Sequence, residues 1–291
     1  MRYYSPLRYP GGKSKAIPLF RDIIDANGLR GCVYVEPFAG GASVALALLF
    51  EGYASKIVIN DADPSIFAFW HSCLNHIDEF CRIMNETEIT TGQWLVQRNI
   101  YREQRQLALS KQKFDMLSLG FATFYLNRTN RSGIIKGGII GGYSQNSKYG
   151  IDARFNRVEL EKRLRNVADC SDRIEVHSED AKSFLQSRAN DWPENTLIYC
   201  DPPYVVKGRN LYMNFFRQQD HRELADTITR IHGKYWVTTY DVNDLITDIY
   251  SRFRIKELTL SYSAGKHTSN SKEYIIFSDN AIIPKNESYI S

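Results

Sequence analysis

CVYVEPFAGGASVALALLF, residues 32–50, changes its periodicity midway. Its first part, through Pro37, is a β-branched and aromatic run without alternation, the pattern of a strand covered on both faces. From about Ala42 the small and apolar residues continue to Phe50 as a helix. Between them Phe38-Ala39-Gly40-Gly41 supplies a turn in which little side chain would keep a ligand from the backbone, and the helix start presents free N–H groups. The G-x-G-x-x-G spacing of a dinucleotide site is absent. A strand, a glycine turn and a helix form the opening unit of a doubly wound α/β sheet.

The same rhythm recurs on either side. Strand-like runs stand at 56–61 (KIVIND), 173–177 (RIEVH), 196–203 (TLIYCDPP), 234–240 (KYWVTTY), 254–260 (RIKELTL) and 273–278 (EYIIFS). Helical patterns fall between many of them, at Pro64–Leu74, Arg217–Ile231 and Val242–Tyr250. Alternating strands and helices imply a mostly parallel sheet covered on both faces. The last two strands have no helix between them and are expected to pair antiparallel. The rhythm stops between Asp61 and Arg173, where 92–127 reads as long helices and 127–157 as loops or a hairpin dense in Gly, Asn, Arg and Tyr. We therefore expect an α/β domain of 1–74 plus 169–291, interrupted by a mainly helical subdomain at 75–168.

The chain has 291 residues and a net charge of +4, unevenly spread. Residues 82–165 hold 15 Lys and Arg against 7 Asp and Glu, so the rest of the chain is net acidic. A basic middle suggests a polyanionic partner, or else a solvated cationic face. The five cysteines, at 32, 73, 81, 170 and 200, include no Cys-x-x-Cys pair and suggest reduced, buried thiols instead of a disulfide frame or a metal site. Without an 18-residue apolar run or a signal-peptide core, a cytoplasmic protein with no membrane partner is expected.

Three further segments carry chemistry. Asp61 ends the 56–61 strand, where a carboxylate in a doubly wound fold takes the hydroxyls of a nucleoside ribose. It could instead cap the helix begun by Pro64, a role that suits Asp63 better. The second segment, Asp201-Pro202-Pro203-Tyr204, ends a strand. Its prolines have no N–H and a restricted φ, so they display carbonyl oxygens in a fixed direction. A carboxylate beside a fixed carbonyl accepts both hydrogens of a planar ring-bound amino group and frees its lone pair for attack. Tyr204 offers a flat face to a base. The third, Arg8-Tyr9-Pro10-Gly11-Gly12-Lys13-Ser14, ends like a P-loop, yet the first glycine of that motif would fall at Leu7. An ATPase is excluded on spacing.

Taken in order, RYPGGK, EPFAGGAS, NDADP and DPPY resemble the Dam-type (D12 class, alpha group) family of DNA adenine-N6 methyltransferases over most of the chain. The resemblance implies a Rossmann-like S-adenosylmethionine-dependent fold with 75–168 as the target recognition domain. It implies a cofactor contacted by Tyr9, Lys13, Phe38, Gly40, Asp61, Asp180 and Asp201, with S-adenosylhomocysteine as product and no metal. It implies catalysis by Asp201, Pro202, Pro203 and Tyr204 on an adenine flipped out of double-stranded DNA. FYLNRTNRSG resembles the family's Asn-Arg segment, implying DNA contacts at Asn127, Arg128, Arg131 and Lys136. Lys148, Arg154 and Arg157 are further basic residues of that exposed stretch, and Arg128, after the apolar run FATFYL, is expected to support the loop. A cognate restriction endonuclease is an implied partner. RNA adenine methylation, or a non-catalytic DNA-binding subunit, would use many of the same residues.

Overall fold

A computed structural model describes residues 4–8, 12–205, 216–264 and 267–285. In chain order a short 3-10 turn leads into α1 (Ile17–Ala26), β1 (Cys32–Glu36), α2 (Ser43–Phe50) and β2 (Ala54–Asn60). Five helices follow: α3 (Pro64–Asn75), α4 (Ile77–Glu86), α5 (Thr91–Leu109), α6 (Met116–Thr129) and α7 (Arg157–Ala168). Next come β3 (Ile174–His177), α8 (Ala181–Arg188), β4 (Thr196–Cys200), α9 (Gln218–Thr229) and β5 (Tyr235–Asp241). The described elements end with α10 (Asp244–Ile249), β6 (Arg254–Ala264) and β7 (His267–Phe277).

The chain packs as two units, Met1–Gly12 with Asp61–Ser178, and Lys13–Asn60 with Glu179–Ser291. The second holds six strands of a seven-stranded sheet, in the order β2-β1-β4-β5-β7-β6. β1 runs parallel to β2 and β4, and β4 parallel to β5. β7 lies antiparallel to both β5 and β6, so the expected terminal hairpin folds back between β5 and the last edge. Both hairpin strands are longer than their apolar runs, because polar residues pair as readily where a hairpin partner satisfies their backbone.

Strand alternation divides the core of this unit. Val35, Ile198, Trp236 and Ile276 point into one cluster with Phe184 and Leu185 of α8, Leu224 and Ile228 of α9 and Ile246 of α10. Their neighbours Tyr34 and Tyr199 point the other way, onto Phe20 of α1. Each fully buried side chain of this size is worth about 1.5–3 kcal/mol, which is ample to hold helices on both faces. This is the doubly wound arrangement expected from the rhythm of the sequence.

The first unit is built around α3 and α6. Phe69 of α3 stacks on Phe124 of α6, and Phe80 of α4 meets Phe121 and Phe124 edge-on. Side chains cap the helix starts: Asp63 for α3, Thr90 for α5, Asp115 for α6 and Asn156 for α7. A cap of this kind stabilises by about 1 kcal/mol. The segment 75–168 lies inside this unit, which also takes in α3 and β3. All five cysteines are free and buried, and no helix among the described residues is long and apolar enough to cross a membrane.

Candidate active site

The parallel strands of the second unit end at the polar residues of a candidate site. β4 delivers Asp201, with Pro202 and Pro203 buried behind it and Tyr204 only 8% exposed. Thr239 of β5 donates its hydroxyl to Asp201 Oδ1 at 2.8 Å and lies 2.9 Å from the Tyr199 hydroxyl. One step further on, Val205 N–H donates to Asp241 Oδ1 at 2.9 Å. The tetrad is thus tied to β5 on both sides, which fixes the loop that two consecutive prolines stiffen.

Lys13 joins it. Its Nζ lies 3.2 Å from Asp201 Oδ1 and 2.9 Å from Glu273 Oε2 of β7. It also donates to the Tyr204 hydroxyl and sits 4.9 Å from that ring's centroid. Lys13 is 5% exposed and Glu273 2%, so this is a buried lysine between two carboxylates. Burial raises the Asp201 pKa above its ordinary 3.8; Lys13 opposes the rise and Glu273 reinforces it. Both described partners of Asp201 address Oδ1, which leaves Oδ2 as the face available to a ligand N–H. Two features expected for different reasons, Lys13 and the Asp201 tetrad, therefore share one cluster.

The glycine turn leaves β1 at Glu36, whose side chain is buried and accepts the Ala45 N–H of α2 at 3.1 Å. Burial, with Asp201 adding repulsion, pushes the Glu36 carboxyl up to about 8, against the Ala45 N–H bond that lowers it. Gly40 and Ala42 both have left-handed backbone, with φ of 47° and 46°. Glycine takes that conformation at no cost, while alanine is strained there, and such strain persists where surrounding structure enforces it. α2 has no side-chain cap at Ala42. Phe38 packs onto the sheet core and meets Phe216 edge-on, 5.8 Å between ring centres.

Asn60, at the end of β2, staples two loops. Its Nδ2 donates to the carbonyls of Pro37 and Glu179, each at 3.0 Å, and its Oδ1 accepts the Glu179 N–H at 2.9 Å. The next residue after Glu179, Asp180, is exposed; its Oδ1 accepts the N–H groups of Lys182 and Ser183 and caps α8. In the first unit, Asp61 Oδ1 accepts the Asp63 N–H at 2.9 Å. Asp63 caps α3 and pairs with Arg105 at 2.9 Å, so the capping role belongs to Asp63, as its spacing suggested. Tyr9 lies outside the described residues.

The Asn-Arg segment is a scaffold. Asn127 is fully buried; it accepts the Arg8 N–H at 2.7 Å and donates to the carbonyls of Arg8 and Gly133. With both ends of its amide committed inside the protein, Asn127 has no edge for a base, contrary to the expected DNA contact there. Arg128 is 8% exposed and its guanidinium donates to the Arg154 carbonyl, at 2.8 Å from Nε. Asn130 accepts from Trp94 Nε1 and donates to the carbonyls of Ile134 and Ile135. Gly133 has φ +76°, and a Cβ there would stand 2.0 Å from the Arg8 carbonyl oxygen, so only glycine fits. Arg131 and Lys136 are exposed on the loop so supported. Arg157 is engaged internally, donating to the carbonyls of Met84 and Thr87.

Glu36, Asn60 and Glu273 escaped the sequence reading. A polar residue inside an apolar strand run, as in KIVIND or KEYIIF, was the available signal for two of them.

The model of the D12 class N6 adenine-specific DNA methyltransferases matches residues 9–264. The chain is 24% identical over 298 residues to the type II methyltransferase M.FokI of Planomicrobium okeanokoites, covering 92% of this chain and 41% of that protein. It is 23% identical over 275 residues to the type II methyltransferase M.MjaIII of Methanocaldococcus jannaschii, covering 87% and 89%. The solved rRNA methyltransferase aviRa of Streptomyces viridochromogenes aligns with a TM-score of 0.38 and 12% identity, over 94% of this chain and 87% of that one. The chain therefore spans less than half the length of M.FokI and most of that of M.MjaIII. With a match that extends from the N-terminal glycine segment into the terminal hairpin, the chain belongs to the D12 class N6 adenine-specific DNA methyltransferase family.

Proposed function

We propose that the protein transfers a methyl group from S-adenosylmethionine to N6 of an adenine flipped out of double-stranded DNA. The observation that carries this is Asp201, held by Thr239 and Lys13 through Oδ1 alone at the start of a proline-stiffened turn. Oδ2 and the Pro202 carbonyl then accept the two N6 hydrogens, favouring a pyramidal nitrogen whose lone pair can attack. The cofactor supplies an electrophilic methyl on a sulfonium centre. Asp201 need not be a strong base, because the methylated nitrogen is itself acidic; positioning and fixed polar groups supply the rate. Tyr204 gives the base a flat surface, and Glu273 is a positioning residue that shares Lys13 with Asp201.

The residues fit such a cofactor. The turn at Gly40–Ala42 has left-handed backbone and small side chains, and it opens a helix without a side-chain cap. Lys13, Phe38 and Gly40 would hold the amino-acid portion, Asp61 the ribose and Asp180 the adenine amino group. We assign target recognition to 75–168, with Arg131 and Lys136 meeting DNA, and place the protein in the cytoplasm beside a cognate restriction endonuclease.

The test is transfer of labelled methyl from S-adenosylmethionine to duplex DNA and to RNA in parallel, with N6-methyladenine read in sequence context. Preferential methylation of RNA would replace the DNA reading. Cofactor binding without transfer to any nucleic acid would leave a binding subunit.

A further inference from the structure

Four arginines of the first unit lie around the Asn-Arg segment, and Arg128 has the other three as its charged neighbours. Asn127 clamps the backbone of Arg8 from both sides, at 2.7 and 2.8 Å. The adjacent Arg128 reaches the Arg154 carbonyl through Nε and Nη2. Arg163, on α7, reaches the Ser5 carbonyl at 3.5 Å, three residues before Arg8. Among the described residues none of the four is in an ion pair, and the charges felt by Arg128 are those of Arg8, Arg163 and Arg154. Burial and these three neighbours push the Arg128 pKa down to about 9; Arg8 is lowered too, by burial and then by Arg154.

A buried cation is ordinarily compensated by a counter-charge, since desolvation without one is costly. Here the protein spends hydrogen bonds on gathering like charges. Such a cluster is complete only with an anion that offers several oxygens to several planar forks, which is the chemistry of a phosphate. We propose that Arg8, Arg128, Arg154 and Arg163 form a site for one phosphate of the DNA backbone, separate from the exposed Arg131 and Lys136. The site rests on the reading of DNA as substrate. It would fix the register of the duplex and carry no base preference of its own.

The experiment is a scan in which single phosphates of a substrate duplex are replaced by neutral methylphosphonates, with affinity measured for wild type and Arg154→Ala. Arg154 is exposed, and Arg128 bonds to its main-chain carbonyl, so the variant keeps that contact. One position should weaken wild-type binding about tenfold, as expected for a lost bond between charged groups. In Arg154→Ala the same replacement should weaken binding by under about threefold, with the salt dependence reduced by about one unit. Arg163→Ala should lose sensitivity at the same position, because the residues share one phosphate. Equal penalties in wild type and variants at every position would overturn the site. So would stabilisation of wild type by free inorganic phosphate with no sensitive position in the duplex. A wild type that neither binds nor methylates any duplex would instead remove the function on which the site rests.

Discussion

Lys13 and Arg128 are both buried cations, 5% and 8% exposed, and they are treated in opposite ways. Lys13 stands between Asp201 and Glu273, with the Tyr204 hydroxyl beside it. Arg128 has a main-chain carbonyl for a partner and three arginines for neighbours. The first cluster carries its own counter-charges and is organised before any ligand arrives, as a preorganised catalytic site requires. The second is incomplete in electrostatic terms, as a docking site for an anion would be. Charge balance thus distinguishes the proposed catalytic cluster from the proposed docking cluster in a chain where both contain basic residues.

The largest effect that could break this comparison is at Asp201. Asp201→Asn keeps the size and the Thr239 contact but replaces a charge-assisted acceptor. Single-turnover methyl transfer should fall by about 10² to 10³, the scale of losing one preorganised polar partner. A rate near wild type would leave the cluster a structural ion pair.

Next come the cations. Lys13→Met leaves Asp201 and Glu273 as buried carboxylates without their shared counter-charge, which should cost about 3–5 kcal/mol in denaturant unfolding. Arg128→Met removes hydrogen bonds to a carbonyl but also relieves repulsion. Its cost should be no more than about 1–3 kcal/mol, that of an acceptor left unsatisfied. If Arg128→Met is the more damaging of the two, the contrast fails.

How far these clusters could be read in the sequence differs for a physical reason. Asp201 to Tyr204 was legible because one strand and one turn create the arrangement, and the glycine turn after β1 was legible likewise. Lys13 was legible only through its place in a recognised segment. Glu273 meets Lys13 from 260 positions away, because β7 inserts between β5 and β6. Strand order is a tertiary outcome that no local pattern encodes. Arg8 and Arg163 were hidden for the same reason, one before a glycine segment and one on an amphipathic helix. Asn127 misled because an Asn beside an Arg in a basic loop has the composition of a groove reader, while burial made it a clamp.

A smaller effect sharpens the role of Glu273. Burial raises the Asp201 pKa most; Lys13 opposes that rise and the Glu273 charge adds to it. Glu273→Gln removes the raising charge and leaves Lys13 more fully to Asp201. The acid limb of kcat/KM should therefore move to lower pH, while kcat at neutral pH drops about tenfold as the lysine competes for the acceptor. In a Lys13→Gln background, Glu273→Gln should add little to the loss of kcat, since that loss acts through the lysine. Additive losses, or an acid limb that stays in place, would make Glu273 a packing residue.

Glu36 gives the smallest effect and one of stability alone. Its carboxyl titrates at about 8 in the folded protein against an ordinary 4.5, chiefly through burial. The folded state therefore holds this proton more tightly than the unfolded chain does. The stabilisation is fully present below about pH 4.5 and is lost as pH rises through about 8. Glu36→Gln keeps an oxygen for the Ala45 N–H and cannot ionise. The two proteins should be of similar stability near the acid end of that window. The variant should pull ahead toward pH 8, because the wild type there bears the desolvation of a buried carboxylate near a second one, Asp201. Denaturant midpoints for the pair across the window isolate the effect, since every other titrating group is common to both. Parallel curves would mean that Glu36 does not titrate in this range, and that the N-terminus of α2 receives a charged partner at neutral pH.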